Sequence, residues 1–243
     1  MQNATERYFC CSKESPEQIN LREKVEGFVL TENKTIKVLA INGSPKSNGN
    51  TAHSLQIIAD TLEVQGIQTE MLHIGNQSIR GCTACGECSG KMVCTMCDDI
   101  VNEAIEKMLN ADGIILGSPV YFSGVAGTMK SFLDRAFYVA TRDRNLKGKV
   151  GAAVVAVRRS GGSSALDSLQ HYIVYSEMTL VGSSYWPIVH GWKPGEMQED
   201  VEAVDTLKML AQNMAWVLRQ REATKISFSY PEMEKRRRMG FIH

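Results

Sequence analysis

The chain has 243 residues, 43% hydrophobic and 22% charged, a globular balance that excludes fibrous and wholly disordered classes. At about 150 residues per domain, that length suits one α/β domain with extensions. Basic and acidic residues number 27 each, so no net field draws the chain to nucleic acid or to an anionic membrane, and neither is an expected partner.

No apolar run approaches the roughly 18 residues needed to span a bilayer. Met1 to Arg7 lack the apolar stretch of a signal peptide. The expectation is a cytoplasmic protein, whose seven cysteines in a reducing compartment are not a disulfide framework. Five of them fall between Cys82 and Cys97; the other two are the adjacent Cys10 and Cys11.

Residues 1–34 are polar and charged and read as an N-terminal extension. Thr35 to Ile41 is then a β-branched apolar run ending at Asn42-Gly43, a strand and its turn. Thr51 to Val64 carries Leu55, Ile58 and Leu62 at helical spacing behind Asn50, which is read as the N-cap. Gln68 to Ile74 predicts a second strand, Asp99 to Leu109 a helix, and Asp112 to Ser118 a third strand. Met129, Phe132, Leu133, Ala136 and Phe137 share one side of the next helix. Val150 to Val157 is almost unbroken in its apolar character, as in a central strand covered on both faces. Leu166 to Met178 predicts a helix, Thr179 to Ser183 a fifth strand, and Val204 to Leu218 a last helix behind Asp200. Alternation of this kind gives a parallel sheet wrapped on both sides. The tail is polar, and its Lys235-Arg236-Arg237-Arg238 run reads as a solvated end.

Ligands of such sheets bind beyond the carboxyl ends of the strands. After the first strand, Ser44, Lys46, Ser47, Asn50 and Thr51 lead into a helix N-terminus, where free N–H groups and the dipole favour a phosphate. The run is neither G-x-x-x-x-G-K-[ST] nor G-x-G-x-x-G, so nucleoside triphosphates and a Rossmann-type site are not supported. After the third strand, Pro119, Val120, Tyr121, Phe122 and Ser123 can lay a ring and amides on a flat heterocycle; the alternative is that the aromatics only cover the sheet end. After the fourth, Arg158, Ser160, Gly161 and Gly162 offer donors, or form a polar linker.

Cys82-x2-Cys85-x2-Cys88-x5-Cys94 can wrap three thiolates around one compact object, with a fourth arriving after a short loop. That is close to the spacing of iron–sulfur ligands. Zinc, whose ligand pairs usually lie further apart, and unliganded thiols are the alternatives. The five histidines are scattered and no hydrolase signature is present.

The runs NGSPKSNGNT, SPVYFSGVAGTMKSFLDRAF and RRSGG make the chain resemble the flavodoxin-like NAD(P)H-dependent FMN reductases over residues 35 to 220. The cysteine spacing is similar to that of their iron–sulfur flavoprotein branch. The resemblance implies a flavodoxin-like three-layer α/β/α fold with five parallel strands in the order 2-1-3-4-5. It implies domain bounds of 35–221, with a cysteine loop at 81–98 and a tail at 222–243. It implies FMN with its phosphate on Ser44, Lys46, Asn50 and Thr51 and its ring between the Pro119–Ser123 and Ser160–Gly162 loops. Tyr121 would stand at the flavin face as the catalytic residue, with Arg158 and Ser160 at the pyrimidine edge. A 4Fe–4S cluster on Cys82, Cys85, Cys88 and Cys94 would follow, with Cys97 as a rival fourth ligand or as a redox partner of Cys94. NAD(P)H or ferredoxin is the implied donor, a quinone, flavin or oxygen-type molecule the acceptor, and a homodimer or homotetramer the assembly. A strict flavodoxin-type carrier fits less well, because such carriers are typically acidic and shorter.

Overall fold

The computed structural model describes residues 35–225 and 227–231. The extension with Cys10 and Cys11 and the basic run at 235–238 lie outside the described residues. The strands are β1 (Lys37–Asn42), β2 (Gln68–His73), β3 (Gly113–Tyr121), β4 (Gly124–Val125), β5 (Val150–Val157), β6 (Thr179–Leu180) and β7 (Ile188–His190). The helices are α1 (Asn50–Val64), α2 (Val101–Asn110), α3 (Gly127–Ala140), α4 (Gly162–Tyr175) and α5 (Val201–Thr224).

The main sheet runs β2-β1-β3-β5-β6, and every one of these pairings is parallel. This is the expected 2-1-3-4-5 order once the two-residue β4, which pairs back on β3, is set aside. The sheet's two faces are sorted by the period of two along each strand. On β5, Val150, Ala152 and Val154 pack with Leu55, Ile58, Leu207 and Met214 of α1 and α5. Ala153 and Val155 pack on the opposite side with residues of α2, α3 and α4, among them Ile105, Phe132 and Leu169. Both layers are buried, which is why β5 reads as an apolar run without alternation.

Three local readings change. The fifth strand is only Thr179–Leu180, and the chain returns at β7 to pair in parallel with the carboxyl half of β5. The intervening segment carries Ser183, Ser184 and two exposed aromatics, Tyr185 and Trp186, a polar and aromatic stretch without the β-branched run that marked the other strands. The third strand does not stop at Ser118 but continues to Tyr121 and turns tightly into β4. Asn50 is not the N-cap of α1: Gly49 holds that position, and no side chain caps the helix. Asp200, by contrast, caps α5 by accepting the Ala203 N–H at 3.2 Å.

No helix among the described residues is long and apolar enough to cross a membrane.

Candidate functional site

The turn from β1 into α1 is built around Ser44. The Ser44 N–H donates to Asn42 Oδ1 at 3.0 Å, and Ser44 Oγ accepts from the Lys46 N–H at 3.2 Å. His73, at the end of β2, donates from Nε2 to the Ser44 carbonyl at 2.7 Å, which fixes its tautomer. Across the sheet the Gly43 N–H donates to the Gly117 carbonyl at 2.8 Å. Ser44, Asn50 and Thr51 are buried at the base of this turn, while Lys46 and Ser47 stand exposed on its rim. Asn50 turns its side chain away from the helix end, where its Oδ1 accepts the Met197 N–H at 3.5 Å. The first-turn N–H groups of α1 are thereby left without a side-chain cap.

Thr51 Oγ1 is buried with no hydrogen-bond partner. A buried hydroxyl without a partner costs about 1–3 kcal/mol, and a ligand oxygen at this helix end would offset that cost. The residues present therefore fit a phosphate.

Gly75 was invisible to sequence reasoning because nothing in a strand-ending His-Ile-Gly-Asn marks a contact. A Cβ there would lie 2.1 Å from the Ser44 carbonyl oxygen and 2.2 Å from its carbon. We expect Gly75→Ala to push the Ser44 turn aside, lowering stability by about 1–3 kcal/mol and weakening FMN binding at least tenfold. Thermal melting and flavin titration of the variant check both effects.

Above the turn, the β3–β4 hairpin carries Phe122 and Ser123 with φ of 48° and 62°. Left-handed backbone is unfavourable for a bulky residue, and strain of this kind clusters at binding sites. Phe122 is fully exposed and Tyr121 half exposed. Pro119 and Val120 lie within β3, not in a loop, with Pro119 opposite Ala156. Ser118 holds the hairpin by accepting the Ala126 N–H at 3.1 Å.

The turn after β5 meets this hairpin. Gly161, with φ of 86°, lies so close that a Cβ would stand 2.7 Å from Ser123 Oγ. Only glycine combines that backbone with that approach. Ser160 is exposed beside it, and Gly162 opens α4. The Arg158 guanidinium stacks on the exposed ring of Trp192, 4.6 Å from its centroid. Trp192 follows β7, so the segment absent from the sequence reading completes the rim.

The cysteine segment lies between β2 and α2. Its backbone is bent by left-handed residues at Ala84, Gly86 and Gly90. Cys94 is held from both sides by Asn102, which accepts the Cys94 N–H at 2.8 Å and donates to its carbonyl at 2.9 Å. Hydrogen bonds from the Glu87 backbone and the Thr95 side chain hold the exposed Cys85 thiol below its ordinary pKa. Cys82, Cys85, Cys88 and Cys94 line one narrow pocket of about 20 Å³ with Arg135, Tyr138 and Val139 of α3, and Cys97 is not among its walls. Four cysteines on one pocket are the donor set that a 4Fe–4S cluster takes, while among the described residues no three Cys, His, Asp or Glu side chains form a group that holds a single metal ion.

A family model described as NADPH-dependent FMN reductase matches residues 36–193. The chain belongs to this family. The FMN reductase match takes in the phosphate turn, the hairpin and the cysteine segment together. The chain is also 32% identical over 192 residues to an iron–sulfur flavoprotein of Methanocaldococcus jannaschii, covering 76% of this chain and 98% of that one. An iron–sulfur flavoprotein of Archaeoglobus fulgidus is 33% identical over 202 residues, covering 78% and 98%. Those matches place this FMN reductase in the iron–sulfur flavoprotein branch. The fold is similar to that of the apo form of an NADH:FMN oxidoreductase, EmoB, with a TM-score of 0.52, 20% identity, and 76% and 90% of the chains covered. It is an FMN-dependent oxidoreductase.

Proposed function

We propose that the chain moves electrons from NAD(P)H or ferredoxin to a small quinone, flavin or oxygen-type acceptor. In this reading FMN is held by Ser44, Lys46, Ser47, Asn50 and Thr51 at its phosphate and by the Pro119–Ser123 and Ser160–Gly162 segments at its ring. Cys82, Cys85, Cys88 and Cys94 hold a 4Fe–4S cluster. The buried, unpartnered Thr51 hydroxyl at the uncapped end of α1 is the observation that carries it. When bound, FMN supplies paired-electron exchange with a nicotinamide and single-electron exchange with a metal centre.

The chain's own part is orientation. The hairpin and the Gly161 turn touch, so Tyr121 and Ser160 belong to one rim, with Arg158 pinned on Trp192 beside it. The α3 helix links the two sites. Met129, near its start, packs against Gly43 of the phosphate turn, and Arg135 lines the cysteine pocket. Six residues of helix separate them by about 9 Å along the axis. The exposed aromatics of the rim support a homodimer or homotetramer that covers them.

Steady-state oxidation of NADH and NADPH with a benzoquinone acceptor tests the activity. We expect FMN-dependent turnover well above that of free FMN; a bare electron carrier would give almost none. An iron count on anaerobically purified protein tests the cluster separately, and turnover without iron would leave a cluster-free reductase.

A further inference from the structure

Arg135 is the largest fully buried side chain among the described residues, and it lies beneath the cysteine segment. Its guanidinium is almost completely engaged. One terminal nitrogen donates to the Arg80 carbonyl at 3.2 Å and to Asp99 Oδ2. The other donates to the Met96 carbonyl at 2.6 Å and to Asp99 Oδ1 at 3.2 Å. These acceptors bracket the cysteines: Arg80 precedes Cys82, Met96 lies between Cys94 and Cys97, and Asp99 follows. Nε remains, buried and without a partner.

A buried ion pair is a poor device for stability alone, since desolvation cancels much of its attraction. The arrangement here is asymmetric. Arg135 lines the cysteine pocket and Asp99 does not, so the pair is a dipole with its positive end at the sulfurs. Four thiolates around an oxidised 4Fe–4S core carry a net negative charge that grows on reduction. A positive dipole end and a spare N–H donor are what stabilise the reduced form, because net charge and hydrogen bonds to sulfur set the potential of such centres.

Resting on the cluster reading above, we infer that Arg135 is the positioning and tuning residue of the cysteine pocket, raising the reduction potential of the centre that these thiolates hold. Removing Arg135 alone would leave Asp99 as a buried unpaired anion, so the informative variant is Arg135→Gln combined with Asp99→Asn, which removes both charges and keeps hydrogen-bonding side chains. Arg135→Lys keeps the charge without the Nε–H.

The test is an anaerobic redox titration of reconstituted protein with dithionite, which delivers one electron to the centre without making or breaking a bond, followed by EPR. Iron and FMN content are measured on the same samples. We expect the double variant to shift the equilibrium at least tenfold toward the oxidised centre, about 59 mV downward for a one-electron couple, and Lys to restore most of it. A double variant that keeps FMN but cannot retain iron, while the Lys variant retains it, supports the same role. An iron-loaded double variant with the wild-type midpoint overturns this inference alone. If neither Arg135 variant takes up iron, Asp99→Asn decides: a raised midpoint supports the inference, and an unchanged or lowered one overturns it. Wild-type protein that takes up no iron overturns the cluster reading and this inference with it.

Discussion

Thr51→Glu is expected to strip FMN from the protein. Thr51 is buried at the first turn of α1, and its hydroxyl is the polar group there that lacks a partner. The substitution removes that donor, worth about 1.5–3 kcal/mol toward a charged acceptor. It also sets a carboxylate beside a phosphate dianion. At about 4 Å and an effective dielectric near 20, each pair of like charges costs about 4 kcal/mol. Together these exceed a thousandfold loss of affinity. Thr51→Ser keeps the hydroxyl and should stay within a few-fold of wild type, whereas Thr51→Val should lose about tenfold to a hundredfold. Flavin content after gel filtration, with circular dichroism to confirm the fold, reads all three. Stoichiometric flavin in the Glu variant would place the phosphate elsewhere.

Cys82→Ser should abolish iron binding and leave FMN in place. Of the four pocket cysteines, Cys88 and Cys94 are buried, so their loss would mix packing with ligation. Cys82 is exposed, and serine there changes ligation alone. Iron is expected to fall from about four per chain to near zero, with the broad visible absorbance of the centre, while the flavin bands persist. Cys97→Ser should leave the iron count unchanged, because Cys97 does not line the pocket. Loss of iron on Cys97→Ser with retention on Cys94→Ser would exchange their roles.

The alternation of strands and helices was legible because the most buried strands are apolar runs and the helices repeat at three and four residues, whereas the 2-1-3-4-5 order came only with the family resemblance. Val150 to Val157 and the Leu207–Leu218 face needed no tertiary information. The phosphate turn was legible as composition, yet its physical state was not: Asn50 looked like a cap, and only its engagement with Met197, about 150 residues away, frees the helix end. Gly75 escaped notice for the same reason, since its constraint is a contact with Ser44 rather than a conformation of its own. The strained hairpin tip contradicts local preference, because the left-handed positions are Phe122 and Ser123 and not the glycine that follows them. Arg135 is not among the apolar positions that the helix pattern brings to one side, and its burial depends on Asp99 and two distant carbonyls. The spacing of the cysteines named a shared object but left the fourth wall of the pocket open between Cys94 and Cys97.

The claim underlying all of this is that the turn between β1 and α1 grips a flavin through its phosphate. Parallel fluorescence titrations of flavin-free protein with FMN and with riboflavin, which differ only in that phosphate, test it most directly. Loss of several charge-assisted hydrogen bonds should weaken riboflavin at least a hundredfold relative to FMN. Equal affinities, or no quenching by either flavin, would contradict the account.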